Sequence, residues 1–217
     1  MVGRFVTRGL VFSIIVAGAL LMLASMDRDE TTRRTTGRLM AAACNGDVAA
    51  ATAEWERSAS RLDAAGRRAA LATTLHTGAT LGHPEIVRLA LRWGADPNAA
   101  TERGSTALMM AATAPRGSEI VQLLLDAGAR PDACDELDNT ALTAAAIDGN
   151  AAVVDLLLRA GSDRGHANQF GRTAASMARL AGHDELARSL DDAADPSARN
   201  RSSRAGSLAT NQPTFAK

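Results

Sequence analysis

A chain of 217 residues, 46% apolar and 22% charged, is long enough to bury a core without disulfide or metal staples. Its 24 basic residues balance 24 acidic ones, so no overall positive field draws nucleic acid to it. With aromatics at 3% and tyrosine absent, base-stacking platforms and aromatic sugar clefts are hard to build, and the abundant alanine favours close-packed helices over sheet.

Residues 1–9 carry Arg4 and Arg8 and no acid. An uncharged run, LVFSIIVAGALLMLASM, follows from Leu10 to Met26 and is ended by Asp27, Arg28, Asp29 and Glu30. This is the pattern of a signal peptide or a transmembrane anchor. As a helix the run reaches about 25 Å, slightly short of a hydrocarbon core of about 30 Å, so length does not separate the two. Met22 and Leu23 stand where a cleavage site wants a second small residue beside Ala24 and Ser25, which favours an uncleaved anchor. Arg28, Arg33 and Arg34 rival Arg4 and Arg8 as orientation signals. The very short N-terminal tail still favours a body outside the cytoplasm, because long domains translocate largely regardless of charge. Lys217 is the single lysine in an Ala- and Arg-rich chain, which points to a bacterial source. The expected location is a bacterial inner membrane with the body in the periplasm, or export. Residues 27–36 (DRDETTRRTT) have no apolar pattern and read as a polar linker.

The two cysteines, Cys44 and Cys134, form no disulfide framework. They fall three repeat units apart, beyond bridging distance, and read as unpaired thiols, with an intermolecular bridge through Cys134 as the alternative.

The middle of the chain repeats itself. Thr73, Thr106, Thr140 and Thr173 recur every 33 or 34 residues, and Gly94, Gly128 and Gly161 keep the same period. In the third of these copies Thr140 is placed to cap a short helix through Ala141, Leu142, Ala145 and Ala146, broken at Asp148, Gly149 and Asn150. A second helix with Val153, Val154, Leu156, Leu157 and Leu158 ends at Gly161, as a left-handed C-terminal residue would end it. Neither helix buries its apolar face alone. Stacking on neighbouring copies does, which makes the fold an all-α solenoid of helix pairs.

At these residues the chain resembles ankyrin repeats. The T-P-L-H signature stands as Thr73-Thr74-Leu75-His76, Thr106-Ala107-Leu108-Met109 and Thr140-Ala141-Leu142-Thr143. The Gly-His pair that opens the second helix stands as Gly82-His83 and Gly182-His183, and the closing V-x-L-L-L-x-x-G-A pattern runs from Val121 to Ala133. A degenerate first copy around Leu39–Ala43 brings the expected number to about five. The signature proline is missing throughout, Leu71 replaces a glycine, and the turn Pro115-Arg116-Gly117-Ser118 carries an extra residue. The expected organisation is residues 1–26 as signal or anchor, 27–36 as linker, 37–192 as repeat domain and 193–217 as a disordered tail.

No H-E-x-x-H, G-x-S-x-G, C-x-x-C or phosphate-loop pattern occurs. His76, His83 and His183 fall on signature positions and read as structural. His166 lies in an inter-repeat loop with no cysteine or acid at ligand spacing, so neither metal nor cofactor is expected. The resemblance implies a concave partner surface lined by the loop tips and first helices. By register the partner-binding candidates are Glu102, Arg103, Met110, Asp135, Glu136, Leu137, Asp148, Gln169 and Phe170, with Leu137 and Phe170 as apolar anchors, and Phe170 tucked under its own loop as the alternative. Ala144 and Met177 would share that face. Trp93 is expected to pack at the end of a second helix. The functional expectation is an exported or membrane-anchored adaptor that binds, and inhibits or protects, a partner protein, with no nucleic acid and no small-molecule substrate. A scaffold that only localises or spaces other components is the alternative, and an enzyme the third.

Overall fold

The structure, a computed structural model, describes residues 30–192. The signal or anchor expected at 1–26 and the tail at 193–217 lie outside the described residues. Among the latter, no helix is long and apolar enough to cross a membrane.

Five helix pairs follow one another: α1 (Glu30–Cys44) with α2 (Val48–Ser58), α3 (Ala64–Leu81) with α4 (Pro84–Arg92), α5 (Ala107–Ala112) with α6 (Gly117–Asp126), α7 (Ala141–Asp148) with α8 (Ala151–Arg159), and α9 (Ala174–Leu180) with α10 (Asp184–Asp192). First helices pack side by side in the order α1, α3, α5, α7, α9, and α2, α4, α6 and α8 form a second layer behind them. The described residues contain no strand, only isolated bridges between Ala100 and Thr106 and between Ala167 and Thr173. A core of Leu75, Val87, Leu108, Ile120, Leu124, Leu142, Val153 and Leu157 runs without a break from the second pair to the fifth, and Leu39, Ala43, Ala51, Ile86 and Leu89 form a second cluster between the first two pairs. Each helix packs on its pair partner and on the neighbouring pairs alike, so each pair is stabilised by its neighbours as well as from within.

Local chemistry sets the ends. Thr106, Thr140 and Thr173 each accept, on the side-chain oxygen, a hydrogen bond from the backbone N–H three residues on (Met109, 3.4 Å; Thr143, 3.3 Å; Ser176, 3.3 Å), so the periodic threonines are helix caps. Gly94, Gly128 and Gly161 adopt left-handed backbone after α4, α6 and α8. The next residue then donates its N–H back to the last turn (Ala95 to Ala90, 3.0 Å; Ala129 to Leu124, 2.9 Å; Ser162 to Leu157, 3.0 Å).

The first two pairs depart from the expected register. Helix α3 is 18 residues long and starts at an Asp63 cap, whose carboxylate accepts from the Gly66 N–H at 2.6 Å. Thr73 is therefore in a helix interior, its hydroxyl donating to the Ala69 carbonyl at 2.9 Å, and caps nothing. Leu71, at the place of the turn glycine, is buried in that helix. The first and second pairs are joined by residues 59–63, a single 3-10 turn (Ala59–Arg61) followed by Leu62 and the Asp63 cap.

The linker expected at 27–36 is corrected over residues 30–36, which are helical in α1, while 27–29 lie outside the described residues. Its stripe Thr32, Thr35, Thr36, Leu39, Ala42 and Ala43 is buried, an i, i+3, i+4, i+7 pattern once threonine methyls are counted as apolar. Thr32 sits against Gly66 of α3, where an added Cβ would lie 2.8 Å from its hydroxyl, so glycine is what allows the two helices to approach. Behind them, the Trp55 and Trp93 rings stack at 5.1 Å and 19°. The Trp93 expectation is met, with a partner the sequence did not name. Glu54 is buried beside Trp55, holding Arg57 at 2.7 Å, Arg38 of α1 at 3.6 Å and the Ser58 hydroxyl at 2.7 Å.

Candidate functional site

In α7 the five residues Ala141, Leu142, Thr143, Ala145 and Ala146 are buried against α5, α8 and α9. That leaves Ala144, Ile147 and Asp148 on the remaining side, one helical face by their spacing of three and four. Because first helices lie side by side, these faces join into a strip along the inner surface. Counting from the capping threonine, the fourth position holds Met110, Ala144 and Met177, all half-buried, the first two packed in part on the core. The seventh position is exposed in each of these units and holds Thr113, Ile147 and Leu180.

The loops before Thr106, Thr140 and Thr173 rise as stacked fingers above this strip. The Glu136 N–H donates to the Arg103 carbonyl at 3.0 Å and the Gln169 N–H to the Leu137 carbonyl at 3.1 Å. The Asn168 amide donates to Asn139 Oδ1 at 3.0 Å, and Asp132 Oδ1 accepts from the Asp163 N–H at 2.9 Å. His76, buried under the first finger, meets the Ala99 carbonyl at 2.8 Å through Nε2, the arrangement of a neutral ring whose N–H donates. Burial lowers its pKa, and the Ala99 bond opposes that only in part.

The candidate residues divide. Leu137 is 40% exposed and Phe170 64%, so Phe170 is not tucked beneath its loop. Both stand three residues before their threonine, at the finger tips. Glu102, Arg103, Glu136, Asp148 and Gln169 are exposed as well, and Arg103 lies 3.7 Å from Glu136. Asp135 is different. Its carboxylate accepts from the N–H groups of Leu137 (2.9 Å) and Asn139 (2.8 Å) and from the Asn139 amide (3.2 Å), so it shapes the finger from within. Asp138 takes the left-handed backbone (φ 58°) that Gly104 and Gly171 take in the neighbouring fingers. Ile147 (41%) and Leu180 (66%) were not among the candidates, although the column they share with Thr113 was there to be compared.

The remaining histidines join units. His83 Nε2 meets the Cys44 carbonyl at 3.3 Å, and the His183 ring covers Gly149, where an added Cβ would come within 2.4 Å of it. His166 corrects an expectation: through space Cys134 Sγ lies 3.6 Å from its Nε2, which also meets the Asp138 carbonyl at 2.9 Å. Burial first, then the charges of Asp138, Asp132 and Asp135, push the Cys134 thiol above its ordinary pKa, the opposite of what a nucleophilic cysteine requires. Cys44 and Cys134 are both free and exposed. Among the described residues no group of three or more His, Cys, Asp or Glu is placed to hold a metal ion.

No curated protein matches the chain. The family described as "Ankyrin repeats (3 copies)" matches residues 39–135 and, overlapping, 108–200. Such repeats suggest a protein–protein interaction module and are typically non-catalytic. With more than half its length matched and its helix pairs stacked in this way, the chain belongs to the ankyrin-repeat family.

Proposed function

We propose that the chain is a protein-recognition module whose partner docks on the inner face of the fourth and fifth units, anchored by Leu137, Ile147, Phe170 and Leu180. One observation carries this. The large hydrophobic side chains left exposed among the described residues are these four, and they fall at two repeat positions in two adjacent units. Scattered exposed apolar residues need no explanation, but such an alignment marks an interaction surface. Full burial of each on docking is worth about 1.5–3 kcal/mol, and a finger stack tied by backbone hydrogen bonds needs little ordering beforehand.

Within this reading residues 10–26 anchor the module in a bacterial inner membrane with the array in the periplasm, supported by the uncharged run that follows Arg4 and Arg8. The module inhibits or protects its partner by covering it. The test is affinity capture from the native membrane fraction with the full chain and with a Phe170→Ser/Leu180→Ser variant of unchanged helical content. Proteins held by the first and lost by the second identify the partner. An identical capture profile would refute the reading and leave the spacer role.

A further inference from the structure

Resting on that docking face, we infer that the occupant is a basic protein segment carrying two apolar side chains about 10 Å apart. The spacing comes from the solenoid. Packed helices stand about 8–10 Å apart, so the Leu137/Ile147 and Phe170/Leu180 pairs, one unit apart, repeat at that interval. Three residues of polyproline II chain, at about 3.1 Å each, return a side chain to the same side and match it, as do seven of a helix at about 1.5 Å each.

The sign of the charge comes from the residues around the anchors. Counted over the finger tips and the inner strip from the third unit to the fifth, the acids are Glu102, Glu136, Asp138 and Asp148, and the cations are Arg103 and Arg172. Arg103 is engaged by Glu136. Asp138 and Asp148 are exposed, flank Leu137 and Ile147 in the same unit, and take part in no ion pair of the described residues. Arg179, next to Leu180, is held by Asp191 at 2.5 Å, which leaves Arg172 as the cation at the Phe170 edge. A segment whose Arg or Lys side chains face Asp138 and Asp148 while its apolar residues fill the two anchor positions satisfies both patterns, and an acidic segment satisfies one.

Random dodecapeptides displayed on phage, selected on the full chain and counter-selected on the Phe170→Ser/Leu180→Ser chain, test this. The expected survivors are net positive, with apolar residues three or seven apart. Their synthetic versions bind in fluorescence anisotropy with a Kd raised about 3- to 10-fold by Asp138→Asn/Asp148→Asn and raised again by added salt. Survivors that are neutral or acidic, or indifferent to the two asparagines, overturn this inference and leave the docking face standing. Failure to enrich any peptide against the counter-selected chain overturns both. Sedimentation showing a dimer lost in the Phe170→Ser/Leu180→Ser chain assigns the face to a second copy. Enrichment only on a chain ending at Asp192 assigns it to residues 193–217. Either result overturns a separate basic partner.

Discussion

Replacing Gly82 with alanine tests the inter-unit stacking at its tightest point. Gly82 ends α3 in the left-handed conformation (φ 78°), and an added Cβ would lie 2.2 Å from the Pro115 carbonyl oxygen and 3.0 Å from the Pro115 Cβ of the next unit. Gly94 in the same unit supplies the control: it is also left-handed (φ 91°), and its Cβ would meet nothing within 4 Å. Alanine in left-handed backbone costs about 1–2 kcal/mol at either place. At Gly82 the contact is with backbone, which cannot rotate away, so the turns of the second and third units must separate at a further cost of about 1–3 kcal/mol. Urea unfolding followed by circular dichroism at 222 nm should therefore rank Gly82→Ala below Gly94→Ala by at least about 1 kcal/mol. Equal destabilisation of the two would show that the turns do not abut, and the packing of the pair α3–α4 on α5–α6 would have to be redrawn.

Three further outcomes follow from the fold. Thr140→Ala removes a cap and should cost about 1 kcal/mol in the same assay, whereas Thr73→Ala, in a helix interior, should stay within about 0.5 kcal/mol of the parent. The folded pKa of His76 lies below 6.5, so the unfolded chain takes up the proton first. Stability from this residue is complete above about pH 6.5 and declines as the pH falls below it. His76→Gln, which keeps a donor for the Ala99 carbonyl, should shrink the melting-temperature difference between pH 7.5 and 5.5. For the stacked tryptophans, a cycle of Trp55→Ala, Trp93→Ala and the double variant should return a coupling of about 0.5–1.5 kcal/mol, and additive losses would deny the ring contact.

The later units could be read from sequence because their local signals agree with their packing. A threonine opens the first helix, a left-handed glycine closes the second, and aliphatic residues between them face the core. Thr73 misled because the same hydroxyl that caps a helix also bonds four residues back inside one, and only Asp63 and the missing glycine at Leu71 distinguish the cases. The helix from Glu30 escaped notice because half its buried stripe is threonine, polar by type but apolar at the methyl that packs. Leu137 and Phe170 stood out as apolar residues in fingers. Ile147 and Leu180 were hidden among the alanines and leucines of helices, where only comparison of equivalent positions separates the solvent face from the core face.

The helix α1 also decides what the array can do at that end. Its buried stripe lies on α3 while Thr31, Arg33, Arg34 and Arg38 face outward. A stack of helix pairs grows wherever an apolar face is left open, and here the outermost face is polar. Further copies therefore have nothing apolar to add to on that side, and the solenoid stays one of fixed length.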